Sequence, residues 1–277
     1  MGLHLSRAGV LARPVAHSLS PLLHRAAYAA LGLTGWTYEP IDCGAEELAG
    51  LVRASPPDWV GYSISRPGKE AALALADEVG ERAGAAGAAN TLVRRADGGW
   101  RADNTDVAGL AVALGEGLDV GRLPQREVVI LGAGATARSA VVALAYLGVT
   151  AVTVAVRDAS RTADLIATAE PLGIAVSSVS VADPGGFDPG AVVISTLPPT
   201  AADALSVRTW STDTVVLDVV YAPWPTELAA AVRAAGGMAI GGARLLLHQA
   251  AEQVWLMTGR PAPLAAMAAA LDTAVRP

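Results

Sequence analysis

The 277-residue sequence holds one cysteine, one phenylalanine and one lysine. A single cysteine, Cys43, excludes an intrachain disulfide, and no histidine, cysteine or carboxylate spacing of metal-ligand type accompanies it. Charged residues make up only 17% of the chain, with a net charge of −6 and no run of Lys or Arg. The basic footprint that neutralises a phosphate backbone is therefore missing, and nucleic acid is not an expected partner. Met1–Pro14 lacks an apolar stretch followed by a small-residue cleavage site. The longest uncharged run, Ser139–Val156, is broken by Leu147-Gly148-Val149-Thr150, a helix-end signal followed by β-branched residues. It reads as a buried helix turning into a buried strand, not as a membrane span. A reduced, soluble, cytoplasmic protein with a sizeable core is expected, given 52% hydrophobic residues.

The lysine shortage carries information. Of 20 basic residues, 19 are arginine and only Lys69 is lysine. A guanidinium serves most surface roles as well as an ammonium does. It fails where a basic group must surrender its proton, because arginine stays charged at any ordinary pH. Lys69 is thus either a chance survivor on the surface or a position where the chemistry requires an amine.

Short apolar runs alternate with helical patterns throughout. Ala8–Leu11, Thr37–Ile41 and Trp59–Ile64 read as strands, and helices are expected from Ser20 to about Leu31, over Ala45–Arg53 and over Lys69–Val79. Ser20-Pro21 suggests a serine N-cap followed by proline at the first helical position. Thr91–Arg94 and Trp100–Ala102 flank Asp97-Gly98-Gly99, a hairpin signal. Glu127–Leu131, Ala151–Val156, Ala191–Ser195 and Thr214–Val219 are apolar strands, with helices from Gly132 to about Leu147 and from Ser160 to Glu170. Arg244–Thr258 and Pro263–Val275 close the chain as helices. Such alternation predicts an α/β protein with largely parallel sheets.

Gly132-x-Gly134-x-x-Ala137 lies between an apolar strand and an apolar helix, the context that gives the dinucleotide fingerprint its meaning. The first glycine makes the tight turn, and the second lets backbone approach a pyrophosphate held at the helix N-terminus. At the end of the next strand, Val156-Arg157-Asp158-Ala159-Ser160-Arg161 offers two arginines suited to an adenosine 2′-phosphate. Asp158 between them suits the free ribose hydroxyl of NAD instead, or competes with Ser160 as the helix N-cap. NADP is the expected cofactor, with NAD as the alternative.

In the first half, Ala16-His17-Ser18-Leu19-Ser20-Pro21 places two hydroxyls two residues apart at a loop-to-helix junction. Asn90-Thr91 and Asn104-Thr105-Asp106 add short polar residues at the ends of elements, each alone an ordinary turn or cap. Taken in order with Pro67-Gly68-Lys69, Ala89-Asn90-Thr91-Leu92, Asp103–Asp106, Gly132–Arg138, Asp218–Tyr221 and His248-Gln249-Ala250, this set resembles the shikimate dehydrogenase family. The matching stretches span residues 16 to 250.

The resemblance implies an N-terminal α/β substrate domain, residues 1–106, completed by C-terminal helices from about 243 to 277 that pack back toward it. A Rossmann-type dinucleotide-binding domain covers 107–242. It implies NADP-dependent interconversion of 3-dehydroshikimate and shikimate, the step of aromatic amino-acid (chorismate) biosynthesis. By match, Lys69 and Asp106 form the catalytic pair, while Ser18, Ser20, Ser65, Asn90, Asp106, Tyr221 and Gln249 contact substrate. Gly132, Ala133, Gly134, Ala135, Thr136, Arg157, Asp158, Arg161, Thr196, Val219, Gly242 and Leu245 fall on the cofactor positions, and Glu81 on a minor one. The chain departs from the family pattern at Ser63, Ser65, Arg66, Val156, Asp158, Ser195-Thr196-Leu197 and Arg244. An exposed apolar edge in the first domain would permit a homodimer. The competing readings are a quinate or amino-analogue dehydrogenase using NAD, and a non-catalytic dinucleotide-binding regulator. Retention of both Lys69 and Asp106 argues against the regulator.

Overall fold

Gly9 explains how the first sheet begins. A Cβ there would lie 2.6 Å from the Glu39 carbonyl oxygen, so glycine lets β1 (Ser6–Ala12) run close beside its neighbour. The computed structural model describes residues 5–183 and 186–275. Its Cα framework divides into two compact units, Met1–Thr105 with Leu246–Pro277, and Asp106–Leu245.

In the first unit, β1 is followed by α1 (Ser20–Ala30), β2 (Trp36–Asp42), α2 (Ala45–Arg53), β3 (Trp59–Ile64), α3 (Lys69–Leu75), β4 (Glu78–Val79), α4 (Glu81–Ala86), β5 (Thr91–Arg94) and β6 (Trp100–Asp103). The sheet order is β2-β1-β3-β5-β6-β4. It is mixed rather than largely parallel: β1 pairs in parallel with β2 and β3, while β3–β5 and β5–β6 are antiparallel. The expected hairpin over Asp97-Gly98-Gly99 is present, with Gly98 at φ +89°. On the β2 edge, Pro40 offers no N–H and Glu39 is paired with Arg7, features that discourage further strand addition.

The helix expected over Lys69–Val79 stops at Leu75. Ala76 turns extended, the Asp77 amide donates to the Trp100 carbonyl at 2.8 Å, and Glu78–Val79 joins the sheet beside β6. Cross-strand bonds outweigh the helical propensity of this alanine-rich stretch.

The second unit holds α5 (Thr105–Gly115) from its second residue, then β7 (Val128–Leu131), α6 (Ala135–Tyr146), β8 (Ala151–Val156), α7 (Ala163–Ala169), β9 (Ala175–Ser180), β10 (Val192–Ser195), β11 (Val215–Asp218), α8 (Glu227–Ala234) and β12 (Met238–Gly241). Every pairing in this sheet is parallel, in the order β12-β11-β10-β7-β8-β9. All residues of β7, β10 and β11 are buried, as strands covered on both faces require. The order reverses between β7 and β10, and in such sheets ligands bind beyond the strand C-termini at that switch point. Of the closing helices, α9 (Gly242–Thr258) returns from Leu246 to the first unit, and α10 (Leu264–Val275) packs on α1.

The first unit also buries His24 completely on α1, stacked on Tyr38 at 4.0 Å. Burial lowers its pKa from 6.5 to about 3, against a hydrogen bond to Gln253 that works the other way. Below pH 6.5 the unfolded chain binds a proton here that the folded chain refuses, so stability falls as pH drops toward 3. The slope from this one residue is about 1.4 kcal/mol per pH unit. Between pH 7.5 and 5 the wild type should lose about 2 kcal/mol through His24. A His24→Gln variant should show a smaller loss over the same interval in urea melts; an equal loss would contradict the assignment.

Candidate active site

Ser18 and Ser20 stand at the entrance to α1. Ser20 is not the N-cap. Leu19 occupies that position, Ser20 and Pro21 are the first helical residues, and the Ser18 hydroxyl accepts the Ser20 N–H at 3.3 Å. The physical reason is that Pro21 has no amide to satisfy and Ser18 already serves that of Ser20. Ser18 is half-buried and Ser20 buried.

Lys69 is the first residue of α3 and is 8% exposed. Gly68 before it is a packing necessity, since a Cβ there would lie 2.7 Å from Leu48 and 3.0 Å from Ile64. The Lys69 carbonyl accepts the Ala89 N–H at 3.0 Å, which ties the start of α3 to the approach of β5. Ser65 and Arg66 are exposed just beyond β3, and Glu81 is exposed at the start of α4.

Asn90 and Gln249, 159 residues apart, meet in the same buried cluster. The Asn90 carboxamide donates to Gln249 Oε1 at 3.3 Å and to Thr105 Oγ1 at 2.9 Å, and its oxygen accepts the Thr105 N–H at 2.8 Å. Gln249 in turn donates to the Leu246 carbonyl at 3.0 Å. Thr105 was not among the expected site residues, nor was Gln253, which joins the cluster from one turn further along α9. The i, i+4 spacing of the two glutamines was the available signal. Asp106 is buried as the second residue of α5, where a carboxylate also suits the helix dipole.

In the second unit the glycine turn opens α6. Gly132 adopts φ +99°, a conformation that L side chains rarely adopt, and a Cβ there would lie 2.8 Å from Thr196 Oγ1. Thr196 closes the switch point from the β10 side: its amide and hydroxyl both donate to the Leu131 carbonyl, at 3.0 and 2.8 Å. Gly134 has no atom within 4 Å of where a Cβ would stand and makes no side-chain cap to α6. Ala133, Ala135 and Thr136 are half-buried beside that open space at the start of α6. That cradle fits a pyrophosphate.

Gly242 approaches Val219 so closely that a Cβ would collide with the Val219 carbonyl. Two bonds stiffen the loop carrying Val219 and the half-buried Tyr221: Asp218 accepts the Val220 N–H at 3.1 Å and the Thr226 hydroxyl at 2.9 Å. Burial pushes the Asp218 carboxyl up, partly offset by these bonds. Leu245 is buried on α9. Arg244 forms a two-pronged pair with Glu116, Nε to Oε2 at 2.6 Å, so its departure from the family pattern is a clamp between α9 and the end of α5.

Asp158 is a cap. Its Oδ1 accepts the Ser160 hydroxyl at 2.8 Å and the Ser160 amide at 2.9 Å, opening a 3-10 turn over Ala159–Thr162. Those two bonds, with help from the charge of Arg161, hold its carboxyl below the usual range. Arg157 and Arg161 are both exposed.

A parallel sheet of this order, with a glycine turn at its switch point, is the Rossmann architecture that binds dinucleotides. The chain belongs to the shikimate dehydrogenase family. Residues 10–92 match the shikimate dehydrogenase substrate binding domain, and 242–271 the shikimate 5′-dehydrogenase C-terminal domain. Residues 128–240 match the saccharopine dehydrogenase NADP binding domain. A curated relative, shikimate dehydrogenase (NADP(+)) of Methylobacterium radiotolerans, is 39% identical over 262 residues, covering 90% of each chain. The crystal structure of Mycobacterium tuberculosis shikimate dehydrogenase is 47% identical, with TM-score 0.84 over 97% of this chain and 99% of that one. Quinate dehydrogenase from Corynebacterium glutamicum, in complex with NAD, is 32% identical, with TM-score 0.88 over 97% of this chain and 99% of that one.

Proposed function

We propose that this enzyme reversibly reduces 3-dehydroshikimate to shikimate with NADP(H), using residues 1–106 and about 243–277 for substrate and 107–242 for cofactor. The observation that carries the reading is the setting of Lys69. A lysine is rarely buried, and the first turn of a helix is the end where a cation is least welcome. The only lysine of the chain occupies such a position. Membership of the family supplies the reaction for which an amine there is useful.

When bound, NADPH supplies the hydride that reduces the ring carbonyl. Lys69 donates a proton to the carbonyl oxygen as it becomes a hydroxyl, and in the reverse direction takes it back. Asp106 accepts a hydrogen bond from a neighbouring substrate hydroxyl and orients the Lys69 amine. Ser18, Ser20, Ser65, Asn90, Tyr221 and Gln249 supply the remaining donors and acceptors that a polyhydroxylated ring carboxylate requires. Gly132–Thr136 would hold the pyrophosphate, and Arg157 with Arg161 the 2′-phosphate. Thr196, Val219, Gly242 and Leu245 would border the nicotinamide. Cys43 is a buried free thiol, which suits a reducing compartment, and we place the enzyme in the cytoplasm.

With its Oδ1 engaged by Ser160, Asp158 has only Oδ2 left to offer a ribose diol, which weakens the case for NAD. Its charge still opposes a 2′-phosphate, and two guanidiniums outweigh one carboxylate. The wild type should therefore show higher kcat/KM with NADP than with NAD. Arg157→Ala combined with Arg161→Ala should reverse the order, by about a hundredfold if each arginine contributes a charge-assisted bond. Asp158→Thr, which keeps a capping hydroxyl and removes the charge, should strengthen the NADP preference. A wild type that favours NAD would overturn this part of the reading.

A further inference from the structure

Gln253 is only 1% exposed, too deeply buried to meet a substrate itself. It nevertheless stands where two lines of hydrogen bonds meet. On one side, the Tyr38 hydroxyl donates to Ser63 Oγ at 2.5 Å, and the Ser63 hydroxyl donates to Gln253 Oε1 at 2.7 Å. On the other, the Tyr28 hydroxyl lies 3.4 Å from His24 Nδ1, and His24 Nε2 lies 3.3 Å from the same Gln253 oxygen. The amide oxygen can only accept, so His24 carries its proton on Nε2 and receives the Tyr28 hydroxyl on Nδ1. Burial keeps that ring neutral.

With its oxygen so engaged, the Gln253 amide nitrogen must face the other way. It donates to the Asn90 carbonyl at 3.2 Å and to Thr91 Oγ1 at 3.0 Å. Thr91 Oγ1, now an acceptor from Gln253, spends its single proton on Asn90 Oδ1 at 2.8 Å. Asn90 Oδ1 also takes the Thr105 N–H, which is a donor only. Both donors fix the Asn90 oxygen on that side and leave its amide protons for Thr105 Oγ1 and Gln249 Oε1. The Asn90 carbonyl, which can only accept, fixes the direction: reversing Gln253 would set its oxygen against that carbonyl, and with Gln253 in the observed sense each hydroxyl and the His24 ring has one allowed direction.

We propose that Gln253 is a positioning residue for substrate recognition: through Thr91 it braces the Asn90 carboxamide, whose oxygen the Thr105 N–H also holds, and with it the Gln249 side chain that Asn90 contacts. His24, Ser63 and Tyr38 hold Gln253 in that sense. The inference rests on the proposed use of Asn90 and Gln249 for substrate.

The test uses steady-state kinetics with shikimate and NADP. Thr91→Val removes the linking hydroxyl with little change of shape, and should raise KM for shikimate about tenfold, the effect of one misdirected buried hydrogen bond. KM for NADP and the melting temperature should change far less. Thr91→Ser restores the hydroxyl and should return KM for shikimate to near the wild-type value. Gln253→Leu should match Thr91→Val in direction, and the double variant should be little worse than either single one, because both break the same line. An unchanged KM for shikimate in Thr91→Val, or equal rises in both KM values that Thr91→Ser fails to rescue, would overturn the positioning role. A wild type without turnover of shikimate would instead overturn the proposed function on which it rests.

Discussion

Lys69→Ala should lower kcat by about a thousandfold, because a positioned proton donor contributes about 10²–10⁴ to rate. KM for shikimate should move much less, since the amine is needed most as charge develops on the oxygen. Lys69→Arg is the sharper variant. It preserves the cation at the start of α3 but cannot give up a proton, and should lose about a hundredfold or more in kcat. The two variants are to be measured at saturating shikimate and NADP, with circular dichroism to verify the fold. Neither removes a favourable helix-dipole interaction, so a large loss of stability is not expected. Near-wild-type turnover by Lys69→Arg would show that this residue transfers no proton.

Asp106→Asn should lower kcat/KM for shikimate by about ten- to hundredfold, the range for a lost hydrogen bond to a charged group. Asp106 has a competing structural role as an acid in the first turn of α5. Loss of that dipole interaction costs about 0.3–1 kcal/mol in stability, too little to account for such a kinetic effect in a folded enzyme. Kinetics and a denaturant melt on the same preparation separate the two. A melt shifted by this amount with unaltered kcat/KM would reduce Asp106 to a helix-terminus residue.

What the sequence makes legible follows from periodicity and punctuation. Strands such as Val128–Leu131 and Val215–Asp218 announce themselves as apolar runs because parallel strands are buried on both faces. The hairpin at Asp97-Gly98-Gly99 and the turn at Gly132 are legible because their backbones demand glycine. By contrast, β9, Ala175-Val176-Ser177-Ser178-Val179-Ser180, is a polar edge strand whose exposure leaves no apolar run to find. The short β4 is set by bonds to β6, and nothing local marks it. Within the candidate site, the meeting of Asn90 with Gln249 and of Ser63 with Gln253 depends on α9 returning to the first unit after more than half the chain. Local pattern holds no trace of such pairings. Asp158 shows the same limit on a smaller scale: residue type allows a ribose ligand or a cap, and only the structure shows the two bonds from Ser160 that make it a cap.

The most direct measurement is the initial rate of nicotinamide reduction by the purified enzyme with shikimate and with quinate, each with NADP and with NAD. The account predicts the highest kcat/KM for shikimate with NADP. Quinate carries an extra hydroxyl at the carbon bearing the carboxylate, and should be the poorer substrate with either cofactor. A higher kcat/KM for quinate with NAD, or no turnover with any of the four pairs, would contradict it.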